Sequence, residues 1–250
     1  MGWLAIGIAM QILADCIVGL RLLALAARTR RLPELCLGAC TFLFGGVGLP
    51  LSILARSGRM ADPETAALLL AGGFAAQDLA CLFLAVGTWR IFRPDPVWFA
   101  APATFGVLAV ASLVGEAFQT GYAGGDDGGA WYWVGFFPRA ATFAWAGAES
   151  LRYHGLLQRR MALGLTDAVL ADRFRMWAVC CGGVVLGFAV FWGARVLGIH
   201  PARSAVVLAL SSAVGIVSAV SLWLAFLPPA AYVARLRRRT LAASAAATSR

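Results

Sequence analysis

The chain has 250 residues, of which 61% are hydrophobic and 13% charged, and its net charge is +9. Soluble domains carry about 25% charged residues, and a soluble fold of this size keeps too much surface to hide so apolar a chain. A soluble enzyme, a disordered chain and a nucleic-acid module are therefore excluded.

A membrane crossing needs about 20 mostly apolar residues in helical form. Seven segments meet this, over residues 3–27, 35–55, 66–89, 97–120, 131–157, 175–198 and 204–227. Arg, Gly and Pro punctuate the gaps, for example Arg28 to Pro33, Arg93-Pro94-Asp95-Pro96 and the run from Gly124 to Gly129. The first segment opens on Met1-Gly2-Trp3 without a basic side chain and is too long for a signal peptide, so it is read as a retained helix. Every loop is short, which leaves one bundle domain over 1–229. Pro228 and Pro229 end the last span, and 230–250 is read as a basic juxtamembrane helix with a flexible cytoplasmic tail.

Arginine is spread unevenly over the two ends of these segments. One side holds fifteen: Arg28, Arg30, Arg31, Arg90, Arg93, Arg152, Arg159, Arg160, Arg173, Arg175, Arg235, Arg237, Arg238, Arg239 and Arg250. The other holds three, Arg56, Arg59 and Arg203, beside Asp62, Glu64, Asp126 and Asp127. Basic residues stay cytoplasmic. The expected fold is thus an all-α polytopic bundle of seven transmembrane helices in the inner membrane, N-terminus outside and C-terminus cytoplasmic. The positive charge is accounted for by orientation, with no nucleic acid implied and anionic lipid as the partner of the basic face.

Glycine and serine at four-residue spacing, Gly183/Gly187 and Ser211/Gly215, predict close helix packing inside the bundle and say nothing of oligomeric state. A faint repeat at an offset of 63 residues aligns Asp15 with Asp78, Arg30 with Arg93 and Pro33 with Pro96.

Charges within a bilayer cost about 2.5–3.5 kcal/mol each on insertion scales and need a reason. Asp15 and Asp78 each stand 12 residues into a helix that enters from outside, about 18 Å deep. Arg139 lies about 12 Å deep in the fifth segment. Gln11 shares the face of Asp15, and Gln77 adjoins Asp78. These five residues are the candidate ligand or proton site. Glu116 and Arg195, in the outer third of their helices, are candidates to line its entrance. A packed, ion-paired core is an equally strong reading of the same residues.

Several chemistries fail on inventory. All 21 basic side chains are Arg, and Lys and Asn are absent. There is then no lysine for a Schiff base or a P-loop, and no N-glycosylation acceptor. His154 and His200 fall at opposite ends of the bundle, and Cys36 and Cys40 share a helical face without further ligands, so packing is expected of them. No catalytic constellation, metal site or cofactor is implied.

The loop from Leu151 to Phe174 is expected to break at Gly164 and restart with Thr166 or Asp167 as helix cap. Arg159, Arg160, Asp167 and Arg173, with Arg235, Arg237, Arg238 and Arg239, form a basic face for lipid or a cytoplasmic protein partner. Arg159-Arg160, Leu163-Gly164-Leu165, Asp167 and Arg173-Phe174, together with the turn Arg28 to Leu35, resemble a group of uncharacterised bacterial seven-helix inner-membrane proteins. That resemblance implies fold and membrane location and no activity. The layout also resembles the rhodopsin and receptor superfamilies in architecture alone. The functional expectation is a receptor-like or sensory protein binding a small ligand in the bundle. The alternative is a small secondary transporter, proton-coupled through Asp15 or Asp78.

Overall fold

The computed structural model describes residues 6–57, 60, 62–122, 129–163, 165–200 and 204–238. Arg59, Asp126, Asp127, Gly164, Arg203, Arg239 and Arg250 lie outside the described residues. The described chain is helical with no strand. Its α-helices are α1 (Ile6–Thr29), α2 (Leu32–Thr41), α3 (Leu49–Arg56), α4 (Pro63–Phe92), α5 (Ala100–Thr120), α6 (Ala130–Ala162), α7 (Ala168–Val196) and α8 (Ala205–Phe226). A further helical stretch covers 230–238.

Six segments are long and apolar enough to cross a membrane: α1, the continuous run Leu32–Arg56, α4, Pro96–Thr120, α7 and α8. The helix α6 is the longest at 33 residues. It is less apolar than these six because Trp131, Tyr132, Trp133, Pro138 and Arg139 crowd its first half.

Local chemistry sets the ends. Asp62 accepts from the amides of Glu64 and Thr65 and starts α4 with Pro63 in its first turn. Asp167, rather than Thr166, starts α7 by accepting from the Val169 amide at 3.1 Å. These caps lie in the loops, so α4 and α7 begin before the apolar segments read as 66–89 and 175–198, while α7 ends at Val196, two residues short. Gly121, with φ of 58°, closes α5 in the left-handed conformation that glycine tolerates.

The second crossing departs from regular helix. Residues Phe42–Gly48 form a π-helical turn between α2 and α3, and the Leu49 amide reaches back to the Phe44 carbonyl. Pro50 supplies no amide, and its ring crowds the carbonyl four residues back. The wider turn accommodates both effects, and Gly45, Gly46 and Gly48 leave its surface bare.

The helices close into a bundle. α1 packs on α2 and α8, α4 on α2, α3, α5 and α6, and α6 on α5 and α7, while α7 packs on α8. α5 thus sits outside, against α4 and α6. Gly215 lets α8 approach α1 so closely that a Cβ there would strike the Gly7 carbonyl. The Gly7 amide donates to Ser212 Oγ across the same contact. Gly215 thus packs closely as expected, with Ser212 rather than Ser211 as the second small residue at the α1 contact. The main core includes Val18, Cys40, Cys81, Leu84, Cys181 and Leu222. A second cluster of Leu70, Phe74, Tyr132 and Phe136 lies beside it.

Candidate functional site

Asp78 and Arg139 meet inside the bundle. Arg139 donates from Nε to Asp78 Oδ1 at 2.6 Å and from Nη2 to Oδ2 at 2.9 Å. The planar guanidinium and carboxylate match in this two-pronged arrangement. Both side chains are almost wholly enclosed, at 3% and 4% exposure. Phe74, one turn before Asp78, lies under the guanidinium with 4.9 Å from Arg139 Cζ to the ring centre. The adjacency of α4 and α6 brings these three residues together.

Asp15 has a different setting. It is buried and accepts one hydrogen bond, 2.8 Å long, from Gln11 Nε2 one turn earlier on α1. Among the described residues no cation pairs with it. Gly45 of the π-helical turn packs directly on the carboxylate, and a Cβ there would overlap Oδ2. Gln11 Oε1 is enclosed without a hydrogen-bond partner. Core neighbours on either side of Asp15 in α1 are Ala14 and Val18. A carboxylate in such surroundings has one amide donor and no countercharge.

The remaining candidates separate. Gln77 turns to Ser52 on α3, donating at 3.1 Å, and does not join Asp15. Glu116 on α5 accepts from the Thr120 hydroxyl at 2.9 Å, and its other oxygen has no partner. Arg195 on α7 stands over the Tyr132 ring at 5.4 Å. The five residues expected at one site thus form three polar contacts: Asp78 with Arg139, Gln77 with Ser52, and Asp15 with Gln11.

The opposite end of α6 adds a second ion pair. Glu149, itself buried, accepts from Arg93 Nε at 2.7 Å and from Arg152 at 3.4 Å. Arg93 also lies over the Trp98 ring at 4.9 Å. Nearby on α7, Asp172 accepts from the Tyr232 hydroxyl at 2.6 Å and pairs with Arg175 at 2.6 Å. Burial and the adjacent Asp172 carboxylate push the Tyr232 hydroxyl above its ordinary value. His154 lies 2.7 Å from the Ala171 carbonyl. Asp167, besides capping α7, is 4.0 Å from Arg237. Arg159, Arg160, Arg173, Arg235 and Arg238 are exposed. The link from 230–238 to α7 was not legible, because Tyr232 and Asp172 are 60 residues apart and neither carries a motif.

Compared with known proteins, the chain matches no family model, no curated protein and no solved structure.

Proposed function

We propose that the chain is a seven-helix membrane protein in which Asp15 binds and releases a proton, and that it acts as a small proton-coupled secondary transporter. The single observation that carries this reading is the contrast between Asp15 and Asp78, counterparts 63 residues apart. Asp78 is neutralised by Arg139. Asp15 is equally enclosed and has an amide for company. Proton relays in membranes use carboxylates that face the bundle interior. The π-helical turn beside it supports the same reading, since these turns occur often at functional sites. In this proposal α6 also crosses and brings the count to seven, the N-terminus is outside and the C-terminus is cytoplasmic, as the arginine distribution suggests. A reporter fused after Arg250 then reads as cytoplasmic, and an external reading contradicts the orientation.

The transport reading is tested on reconstituted protein adsorbed to a solid-supported membrane. A pH step should give a transient charge displacement in the native protein and none in Asp15→Asn. An unchanged displacement in Asp15→Asn contradicts the proposal.

A second reading, the receptor-like sensor, draws on a different observation. The stretch 230–238 is tied to the start of α7 through Tyr232 and Asp172, so a shift of α7 would move a basic segment available to a cytoplasmic partner. The ligand pocket that this reading expects from Asp15, Asp78, Arg139, Gln11 and Gln77 is divided among three separate contacts, which is why it ranks second.

A further inference from the structure

The turn between α1 and α2 bounds a groove of about 390 Å³. Its walls are apolar, from Leu23, Ala26 and Ala27 on α1 and from Leu32 and Leu35 on α2. Two consecutive arginines, Arg30 and Arg31, complete the lining. Both are exposed, and among the described residues neither pairs with an acid. Arg30 has a φ of 54°, a conformation in which its Cβ crowds the backbone. The strain is kept at a turn where a glycine would relieve it. Glu34, the acid nearest in sequence, is outside the lining.

The groove continues into an exposed apolar stripe. Leu13, Ile17, Leu20, Ala24 and Ala27 recur at helical spacing along α1 and are all exposed. From Leu13 to Ala27 the stripe runs about 21 Å, comparable to an extended acyl chain. Arg30 and Arg31 follow at the turn where α1 ends, and Ala27 belongs to both the stripe and the groove. The surface is therefore apolar along its length and doubly cationic at one tip.

We infer that this groove is a binding site for an anionic phospholipid, with the phosphate held by Arg30 and Arg31 and one acyl chain lying along the α1 stripe. The charge pattern fits an amphiphile and not a soluble anion, because a free phosphate has no use for the apolar stripe. A zwitterionic lipid carries a choline that offsets the phosphate charge the arginines attract. The inference concerns a site apart from Asp15 and needs only that α1 and α2 stand in a bilayer, so it can fail or hold independently of the proton reading.

Native mass spectrometry of the full chain, released from detergent with added phosphatidylglycerol or phosphatidylcholine, tests it. The native protein should retain phosphatidylglycerol preferentially. Each arginine near anionic lipid adds about 1 kcal/mol, so the Arg30→Gln/Arg31→Gln double variant should lose about 30-fold in that preference. Arg159→Gln/Arg160→Gln removes the same charge from the wider basic face, outside the groove lining, and should cost a smaller part of that preference. Ala27→Trp, which fills the groove and leaves both charges, should also displace the lipid. Inorganic phosphate at excess should not compete. Equal retention of both lipids, an unchanged preference in the Arg30/Arg31 variant, or competition by inorganic phosphate overturns the inference.

Discussion

The α1–α2 region and the α4–α5 region carry the same three residues at the same spacing, and α6 treats them differently. Asp78 and Arg93, on and just after α4, face Arg139 and Glu149 of α6 and are neutralised. Asp15 and Arg30, their counterparts 63 residues earlier, stand on the side of the bundle where α1 packs against α2 and α8. No described residue supplies them a countercharge. One helix thus closes one copy of the pattern and leaves the other open. The difference teaches that a buried charge is read by its partner and not by its depth. The closed copy ties α4 to α6, and the open copy is where we propose a proton at one end and a lipid phosphate at the other.

The largest expected effect breaks the closed copy. Arg139→Gln leaves the Asp78 charge enclosed without its cation and should cost about 3–5 kcal/mol. Thermal denaturation in detergent should show that loss, and Asp78→Asn should recover much of it. Asp15→Asn should not, because Asp15 makes no contact with Arg139 and effects at sites without shared partners add. Rescue of Arg139→Gln by Asp15→Asn would merge the two copies into one site and undo the comparison.

A smaller effect sharpens the open copy. Gly45→Ala drives a methyl group into the Asp15 carboxylate. Overpacking of this kind costs about 1–3 kcal/mol. The same variant should also disturb proton binding at Asp15, whereas Gly72→Ala, whose added methyl meets only ordinary contact with Leu51, should do neither. Equal stability of Gly45→Ala and the native protein would mean that the π-helical turn does not press on Asp15.

The smallest effect lies outside both copies. Tyr232→Phe removes the hydroxyl that donates to Asp172 and should raise the mobility of a spin label at Ala234 without changing the stability of the bundle. The native contact has a pH limit of known sign. The Tyr232 hydroxyl is raised above its ordinary value, so its stabilisation is full below the usual tyrosine range and is lost as pH climbs through the raised value. A label whose mobility stays constant through that climb would show that the hydroxyl does not hold the segment.

Much of this organisation was legible before the structure, and the reasons are local. Long apolar runs mark the crossings, because lipid demands them. The start of α7 was readable to within one residue, as Thr166 or Asp167, because both precede an apolar-periodic stretch. Gly215 was readable as a point of close approach, since small residues permit it. Asp15 and Asp78 were singled out because charges in apolar helices are costly. Their partners were not legible. Which carboxylate receives Arg139 depends on α4 and α6 being neighbours, and hydrophobic periodicity along one helix is silent about the next. The π-helical turn had a signal in Gly45, Gly46 and Pro50, yet glycine and proline are common enough in membrane helices to pass as packing residues. The expectation of one unit containing Asp15, Asp78 and Arg139 came from equal depth alone, and depth does not fix the angle at which a side chain leaves its helix.

The most direct measurement is the infrared carboxyl-stretch band of the reconstituted protein, followed as pH is raised. The expected result is a protonated-carboxyl band that fades on titration, is lost in Asp15→Asn and persists in Asp78→Asn. A band that survives in Asp15→Asn and vanishes in Asp78→Asn would place the proton on the ion-paired carboxylate and contradict the account.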